Sequence, residues 1–504
     1  MKTIVTGKEM KQLDRNTSEK FHIPELVLME QAAMSFVTEL LKVHSPSKVL
    51  VVCGFGNNGG DGVAVARMLN QSGIMARVFL ASEVFSMEDK MTPSFQKQKE
   101  IYEAYGFPKT NTLKGSDYDF IIDALFGVGL SRNLSEPFCT LIKDINELPG
   151  HKVALDISSG IQADTGEVMG AAFEADETYT FSYEKVGQLL WPGFDYTGKV
   201  TVLPISIDNY SWLDKKPKYY SLEERDLLEL PKRMPHSNKG TYGKVLVIAG
   251  MGKMPGAAIL AAKAAYKSGA GLVRVLTAGE NCPVVANCIP EAIVSSMDRA
   301  EPEQCLDKEI SCADSIILGP GIGVNDFSKK VLSYLIEKAT VPVVLDADAL
   351  TILAEDMDLL RKKNTELILT PHLKEMSQLI REPIEYIQKN LLSLAMDFSN
   401  NQDVICVLKD FHTVIALPYG KVYINQTGNN GMAVGGSGDV LAGVIGGLMA
   451  QKLSPSKAAA YGVLLHGLAG DRAAAWTGYH GMTANDIIDG LNKVWSQVDI
   501  NVKE

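Results

Sequence analysis

Short apolar runs alternate with longer helical patterns along the first 205 positions, and the alternation itself predicts the fold. KVLVVCG (48–54) has the continuous apolar run of a strand buried on both faces. GFGNNGGDG follows as a loop, VAVARMLNQSG as a helix and ARVFLA as the next strand. Further strands are predicted at DFIID (119–123), KVALD (152–156), ETYTFS (177–182) and KVTVLPI (199–205). Strand, helix and strand in this rhythm imply an α/β fold with a parallel, doubly wound, Rossmann-like sheet. The polar and aromatic segment DNYSWLDKKPKYY (208–220) breaks the rhythm and is the expected junction between domains at 1–212 and 218–504.

The pattern then starts again. KVLVIAG (244–250) precedes an alanine-rich helix, GAAILAAKAAYKSG, and a strand, LVRVLTA. SIILG (315–319), PVVLD (342–346), ELILT (366–370) and VICVLKD (404–410) read as strands, and HTVIALPYGKVYIN as a hairpin. Two helices rich in alanine and glycine close this second α/β domain. No tandem repeat relates the halves.

Composition narrows the setting. Over 504 residues, 46% are hydrophobic and 22% charged, the balance of a soluble globular protein. No apolar run approaches the roughly 20 residues of a spanning helix, so no membrane partner is expected. The N-terminal segment lacks the apolar stretch of a secretory signal, and a cytoplasmic location is the expectation. The seven cysteines are expected as reduced, buried thiols, since Cys282, Cys288, Cys305 and Cys312 are too widely spaced for a zinc knuckle. The net charge of −11, without a Lys/Arg block, argues against nucleic acid. Anionic nucleotides can still bind to backbone N–H groups at helix starts, which directs attention to glycine-rich loops.

Gly54, Gly56 and Gly59 fit G-x-G-x-x-G between a strand and a helix. Asp61, placed at the helix N-terminus, would repel a phosphate and suits a hydroxyl donor better. Asp123 and Asp156 close two further strands and precede ALFGVGLSR and ISSG. Each could be only a turn cap. Three such loops in one parallel sheet should nevertheless converge at the carboxyl ends of its strands.

LVLMEQAA (26–33), GNNGGDG (56–62), DALFGVGL (123–130) and LDISSG (155–160) together resemble the YjeF N-terminal domain, the NAD(P)H-hydrate epimerase family. The resemblance covers about the first 210 residues. It implies a potassium ion held by Asn58, Asp123 and Ser159, oxygen donors that suit a hard cation. It also implies substrate contacts from Asn57, Asn58, Gly59, Gly60, Asp61, Gly127, Val128, Gly129, Leu130, Ser131, Arg132, Asn133 and Asp156. As a carboxylate at the end of a buried strand, Asp156 is also the candidate proton-transfer catalyst of epimerisation. Ser158 departs from the family's usual proline and is expected to loosen its turn.

GMAVGGSGDVLAGVIGGL (431–448) is the strongest motif in the chain. Gly435, Gly436 and Gly438 let the backbone turn N–H groups inward at a helix start, forming an anion hole. Asp439 follows directly, placed to take the proton of a hydroxyl that attacks phosphorus. The arrangement resembles the ribokinase-like superfamily. With SNKGTYGKVLVIAG (237–250), LGPGIG (318–323), DADAL (346–350) and TPHLKE (370–375), it is similar to NAD(P)H-hydrate dehydratase over 225–495. The resemblance implies that Gly323, His372 and Asp439 contact the hydrated cofactor. It places the nucleotide against Lys409, Asp410, Phe411, His412 and Thr413, and against Asn429, Asn430, Gly431, Met432, Ala433, Val434, Gly435, Gly436, Ser437 and Gly438. Asn430, Val434, Asp410 and Phe411 depart from the family's usual residues.

A cytosolic bifunctional repair enzyme is therefore expected. Its N-terminal domain would epimerise hydrated NADH or NADPH, and its C-terminal domain would dehydrate the S epimer with ADP and Mg2+, releasing AMP and phosphate. Homo-oligomeric assembly is expected. Two rivals remain on sequence grounds: a vitamin or sugar kinase fused to a Rossmann-like module, and a regulatory N-terminal half without activity. GNNGGDG and TPHLKE oppose the first, and aspartates at two strand ends oppose the second.

Overall fold

The computed structural model describes residues 1–113 and 117–501. They divide into two compact units, Thr3–Lys218 and the chain from Tyr219 onward, which also includes Met1–Lys2.

In the N-terminal unit the strands are β1 (Lys2–Val5), β2 (Lys48–Cys53), β3 (Met75–Leu80), β4 (Lys109–Thr110), β5 (Phe120–Ala124), β6 (His151–Leu155), β7 (Glu177–Phe181), β8 (Glu184–Lys185) and β9 (Lys199–Leu203). Seven of them form a wholly parallel sheet in the order β4-β3-β2-β5-β6-β7-β9. β1 lies beside β8 in parallel, with Val5 opposite Lys185. From β2 the chain winds out through β3 and β4, then returns to the other side of β2 as β5. The order therefore reverses between β2 and β5, and a ligand crevice belongs outside their carboxyl ends.

The C-terminal unit holds β10 (Tyr219–Ser221), β11 (Lys244–Ile248), β12 (Leu272–Thr277), β13 (Ile293–Ser296), β14 (Ser315–Leu318), β15 (Val343–Leu345), β16 (Leu367–Leu369), β17 (Ile405–Leu408), β18 (Val414–Ala416) and β19 (Val422–Ile424). Its order is β13-β12-β11-β14-β15-β16-β17-β18-β19-β10. The strands from β13 to β17 are parallel, and the predicted hairpin enters as the antiparallel pair β18 and β19. The reversal here falls between β11 and β14. Helix Ser437–Ala450 packs on helix Pro255–Lys267 and on β14, so its first turn reaches the same end of the sheet.

The α/β expectation is met, with local corrections. Strands β1, β4 and β13 escaped the sequence pattern because two of them are only partly buried and all are short. The helix expected from Val63 starts at Asn57, so Asp61 lies within it rather than in a loop. Glycine allows this early start: a Cβ at Gly62 would sit 2.5 Å from the Ala124 Cβ and 2.9 Å from Cys53 Sγ. The expected junction is partly core. Trp212 is 6% exposed and packs with Val5, Met10, Leu13, Leu28 and Ile207. All seven cysteines are free, but only Cys53, Cys139 and Cys406 are buried. No helix among the described residues is long and apolar enough to cross a membrane.

Candidate active sites

At the carboxyl ends of β2, β5 and β6 lies a cavity of about 700 Å³. Asn57, Asn58, Asp61, Asp156 and the stretch from Gly127 to Arg132 line it. Gly59, Gly60 and Asn133 do not. Gly60 is instead a packing residue, since a Cβ there would stand 2.7 Å from the Met29 Cε.

Asp123 is the penultimate residue of β5 and is completely buried. One carboxylate oxygen accepts the Ser159 N–H at 2.7 Å; the other accepts the Ser159 hydroxyl at 2.7 Å and the Leu125 N–H at 3.1 Å. Burial pushes its pKa up to about 6 despite these bonds, which favour the anion. The Asn58 side chain faces Gly127, whose Cβ position lies 3.5 Å from Asn58 Oδ1, and its amide nitrogen is buried without a partner. A buried carboxylate, a hydroxyl and an amide form an oxygen-rich donor set that fits a hard cation such as potassium.

Asp156 follows β6 with a positive φ of 69°. Its Oδ1 accepts the Phe181 N–H at 3.1 Å and the Thr180 hydroxyl at 3.3 Å, and it is ion-paired with Lys185. The Lys185 side chain has no exposure and also donates to Thr180 Oγ1 at 2.7 Å. Asp156 therefore has a counter-charge beside it. The carboxyls whose pKa values are raised are its neighbours in the cavity wall. Burial, reinforced by the charge of Asp156, pushes Asp14 up to about 7. Burial and the charges of Asp156 and Asp14 push Asp61 well above the carboxylate range. Ser158 does not loosen its turn: its buried hydroxyl donates to the Tyr196 carbonyl at 2.7 Å.

In the C-terminal unit, Gly436 caps helix Ser437–Ala450 with a φ of 93°, and no side chain caps the first-turn N–H groups. Those donors form the open end that an anion hole requires. Asp439 sits in that first turn. Burial, then the charge of Asp346, pushes it up to about 7 against the opposing pull of Lys409. Lys409 Nζ is 2.8 Å from Asp346 Oδ1 and 3.9 Å from Glu375 Oε2. It also lies 3.4 Å from the position of a Cβ on Gly438, so an ammonium stands beside the glycine nest.

Strand pairing explains how His372 joins this group: it bridges in parallel to Lys409. Its Nδ1 accepts the Lys374 and Glu375 N–H groups at 3.1 Å, leaving Nε2 on the other side of the ring, 3.4 Å from Glu375 Oε1. Burial, then Lys409, lowers its pKa and favours neutral imidazole. Gly323 donates its N–H to Asp348 at 2.8 Å. Asn429 caps the turn Asn430–Met432 and donates to Asp471 at 3.0 Å, which orders the approach to the nest. Phe411 is exposed and stacks at 4.3 Å on buried His412.

Two known families match successive parts of the chain. The YjeF-related N-terminal family matches residues 25–187, and the NAD(P)H-hydrate dehydratase family matches 245–493. A bifunctional NAD(P)H-hydrate repair enzyme of Moorella thermoacetica is 35% identical over 99% of this chain and 98% of its own length. That of Thermofilum pendens is 34% identical over 96% and 94%. This chain belongs to the bifunctional NAD(P)H-hydrate repair enzyme family. A solved ADP/ATP-dependent NAD(P)H-hydrate dehydratase of Bacillus subtilis, co-crystallised with ATP and Mg2+, is 31% identical. It covers 55% of this chain and 98% of that one, with a TM-score of 0.48.

Within this repair-family framework, the geometry adds residues that sequence reading passed over. Asp346 and Glu375 stood inside the quoted motifs DADAL and TPHLKE, which was the available signal. Asp14 and Lys185 carried none. They lie in a helix and in a two-residue strand, and only folding brings them to Asp156.

Proposed function

We propose that each unit carries one step of a two-step repair of hydrated NADH or NADPH: epimerisation in the N-terminal cavity and dehydration around Asp439. The observation that carries this reading is a carboxylate tuned to about 7, in the first turn after a G-G-S-G nest and beside the partly buried ammonium of Lys409.

In the dehydratase step, Asp439 takes the proton of the ring hydroxyl, whose oxygen then attacks the terminal phosphorus of ADP. The P–O bond to AMP breaks. Phosphate, a better leaving group than hydroxide, then departs from the ring as the adjacent ring carbon gives up a proton to solvent, and the new double bond restores the dihydronicotinamide. The first-turn N–H groups and Lys409 receive the charge that moves onto the phosphoryl oxygens. Mg2+ enters with the nucleotide as part of that substrate. His372 and Gly323 hold the hydrated ring and its attached nucleotide.

In the epimerase step, Lys185 supplies the counter-charge of Asp156, while burial raises the pKa of Asp14 to about 7 and pushes that of Asp61 up as well. This set can both accept and return a proton around a ring carbon. Asn58, Asp123 and Ser159 would hold potassium, which supplies a fixed positive charge that offsets the buried carboxylate. Fusion is useful because a phosphoryl-transfer site accepts only the epimer whose hydroxyl points at the nucleotide. Incubating mixed hydrated NADH epimers with ADP or ATP should restore the near-ultraviolet nicotinamide absorbance completely. No recovery with either nucleotide would refute the reading.

A further inference from the structure

Away from both sites, three metal-binding side chains meet at the opposite, amino-terminal edge of the N-terminal sheet. His44 caps the C-terminus of helix Glu25–Val43, His151 opens β6 and Glu177 opens β7. One ligand atom from each lies within 4.8 Å of those of the other two. His44 Nε2 stands 3.1 Å from Glu177 Oε2, and His151 Nε2 stands 3.9 Å from Glu177 Oε1. The imidazole centres are 5.0 Å apart, and both rings pack edge-on at 5.2 Å against Phe120, which fixes their planes.

The second face of His151 decides its chemistry. Its Nδ1 lies 3.4 Å from Asp176 Oδ2. A carboxylate taking the Nδ1 proton leaves a lone pair on Nε2, the arrangement of a carboxylate–histidine–metal relay. That Nε2 is shielded from solvent and has no hydrogen-bond partner. A His–Glu ion pair accounts for His44 alone; the second ring, aimed at the same carboxylate with a buried lone pair, is left over.

We propose that His44, His151 and Glu177 bind a divalent transition-metal ion of the zinc class, with Asp176 as the outer carboxylate. Two imidazoles and one carboxylate are too nitrogen-rich for potassium or magnesium and leave one position for water. Ligands at about 2.1 Å from zinc stand roughly 3.4 Å apart. The observed 3.1 and 3.9 Å bracket that spacing, so small side-chain rotations close the site.

The role is that of a scaffold. At their other ends, the same three elements build the cavity: the helix supplies Glu25, Leu28 and Met29, β6 runs into Asp156, and β7 ends at Phe181. A metal here ties helix to sheet roughly 16 Å from the chemistry, the length of a five-residue strand.

The test uses the full chain, stripped by a chelator and titrated with Zn2+ or Co2+ in potassium buffer. One ion per chain should bind with micromolar or tighter affinity and raise the thermal midpoint by roughly 5 °C. The Co2+ form should show visible ligand-field bands without the thiolate charge-transfer band that exposed Cys288 or Cys312 would produce. His44→Gln and His151→Gln should each weaken binding roughly 100-fold or more, and Asp176→Asn roughly tenfold, with epimerisation preserved at saturating potassium. A parent chain without saturable binding, or with a thiolate spectrum alone, overturns the proposal, as does unchanged affinity in both histidine variants. The parent spectrum decides the matter even if a variant fails to fold.

Discussion

The ammonium of Lys185 is buried against Oδ1 of Asp156, and this pair sorts the carboxyl groups around the N-terminal cavity into two kinds. Asp156 has its counter-charge beside it. Asp14 and Asp61 are partly buried and also feel its negative charge, so their pKa values are raised. Burial, reinforced by the charge of Asp156, separates Asp14 and Asp61 from the ion-paired Asp156.

Removing that lysine should cost both stability and chemistry. Lys185→Met leaves a buried carboxylate unpaired, and roughly 3 kcal/mol or more of stability should be lost from the N-terminal unit. Denaturant unfolding measures the loss. Stability equal to the parent would show that the pair is not compensating buried charge.

Asp14 sets a pH dependence of folding. Its pKa rises from 3.8 to about 7 on folding, so the folded state binds the extra proton between those values. Stability from this group is complete below pH 4 and declines as pH rises through about 7. Asp14→Asn removes the decline and should stabilise the chain at pH 8 by roughly 2–4 kcal/mol, with little effect at pH 4. Parallel stability–pH curves for the two proteins would sink this assignment.

Dehydration should depend on Asp439 in two ways. Asp439→Asn should lose roughly 100-fold or more in turnover while epimerisation continues. In the parent, the dehydration rate should rise with pH through about 7, because the anion is the acting base. Near-parental turnover in the purified variant rules the role out.

Asp123→Ala removes the central carboxylate of the proposed potassium site. Epimerisation should fall and lose its potassium dependence, while dehydration of the reactive epimer proceeds at the parental rate. A heavier alkali ion located by anomalous scattering anywhere but between Asn58, Asp123 and Ser159 would move the site elsewhere.

Asp156→Asn keeps the shape of the acid but not its charge. The variant should dehydrate one epimer at full rate and then slow to the pace of spontaneous interconversion. A single-phase reaction at the parental rate with mixed epimers would remove Asp156 from the chemistry.

The amino-acid sequence by itself determined the two α/β halves, the glycine-bearing loops at strand ends and the candidate residues carried by local motifs. Each is written in contiguous residues: the apolar runs of parallel strands buried on both faces, or the G-G-S-G-D stretch whose function needs one helix start. Tertiary structure alone decided the charge state of those residues. Asp14, Asp156 and Lys185 are far apart along the chain, and neither period nor composition announces that burial will bring them together. The same holds for Asp346 and Lys409, which follow strands of one parallel sheet, and for His44, His151 and Glu177, which meet where a helix end reaches the starts of two adjacent parallel strands. Glycine packing also moved a boundary, drawing Asp61 into a helix that polar residues had marked as loop. Pairing and desolvation depend on who the neighbours are in space, and only the folded chain supplies them.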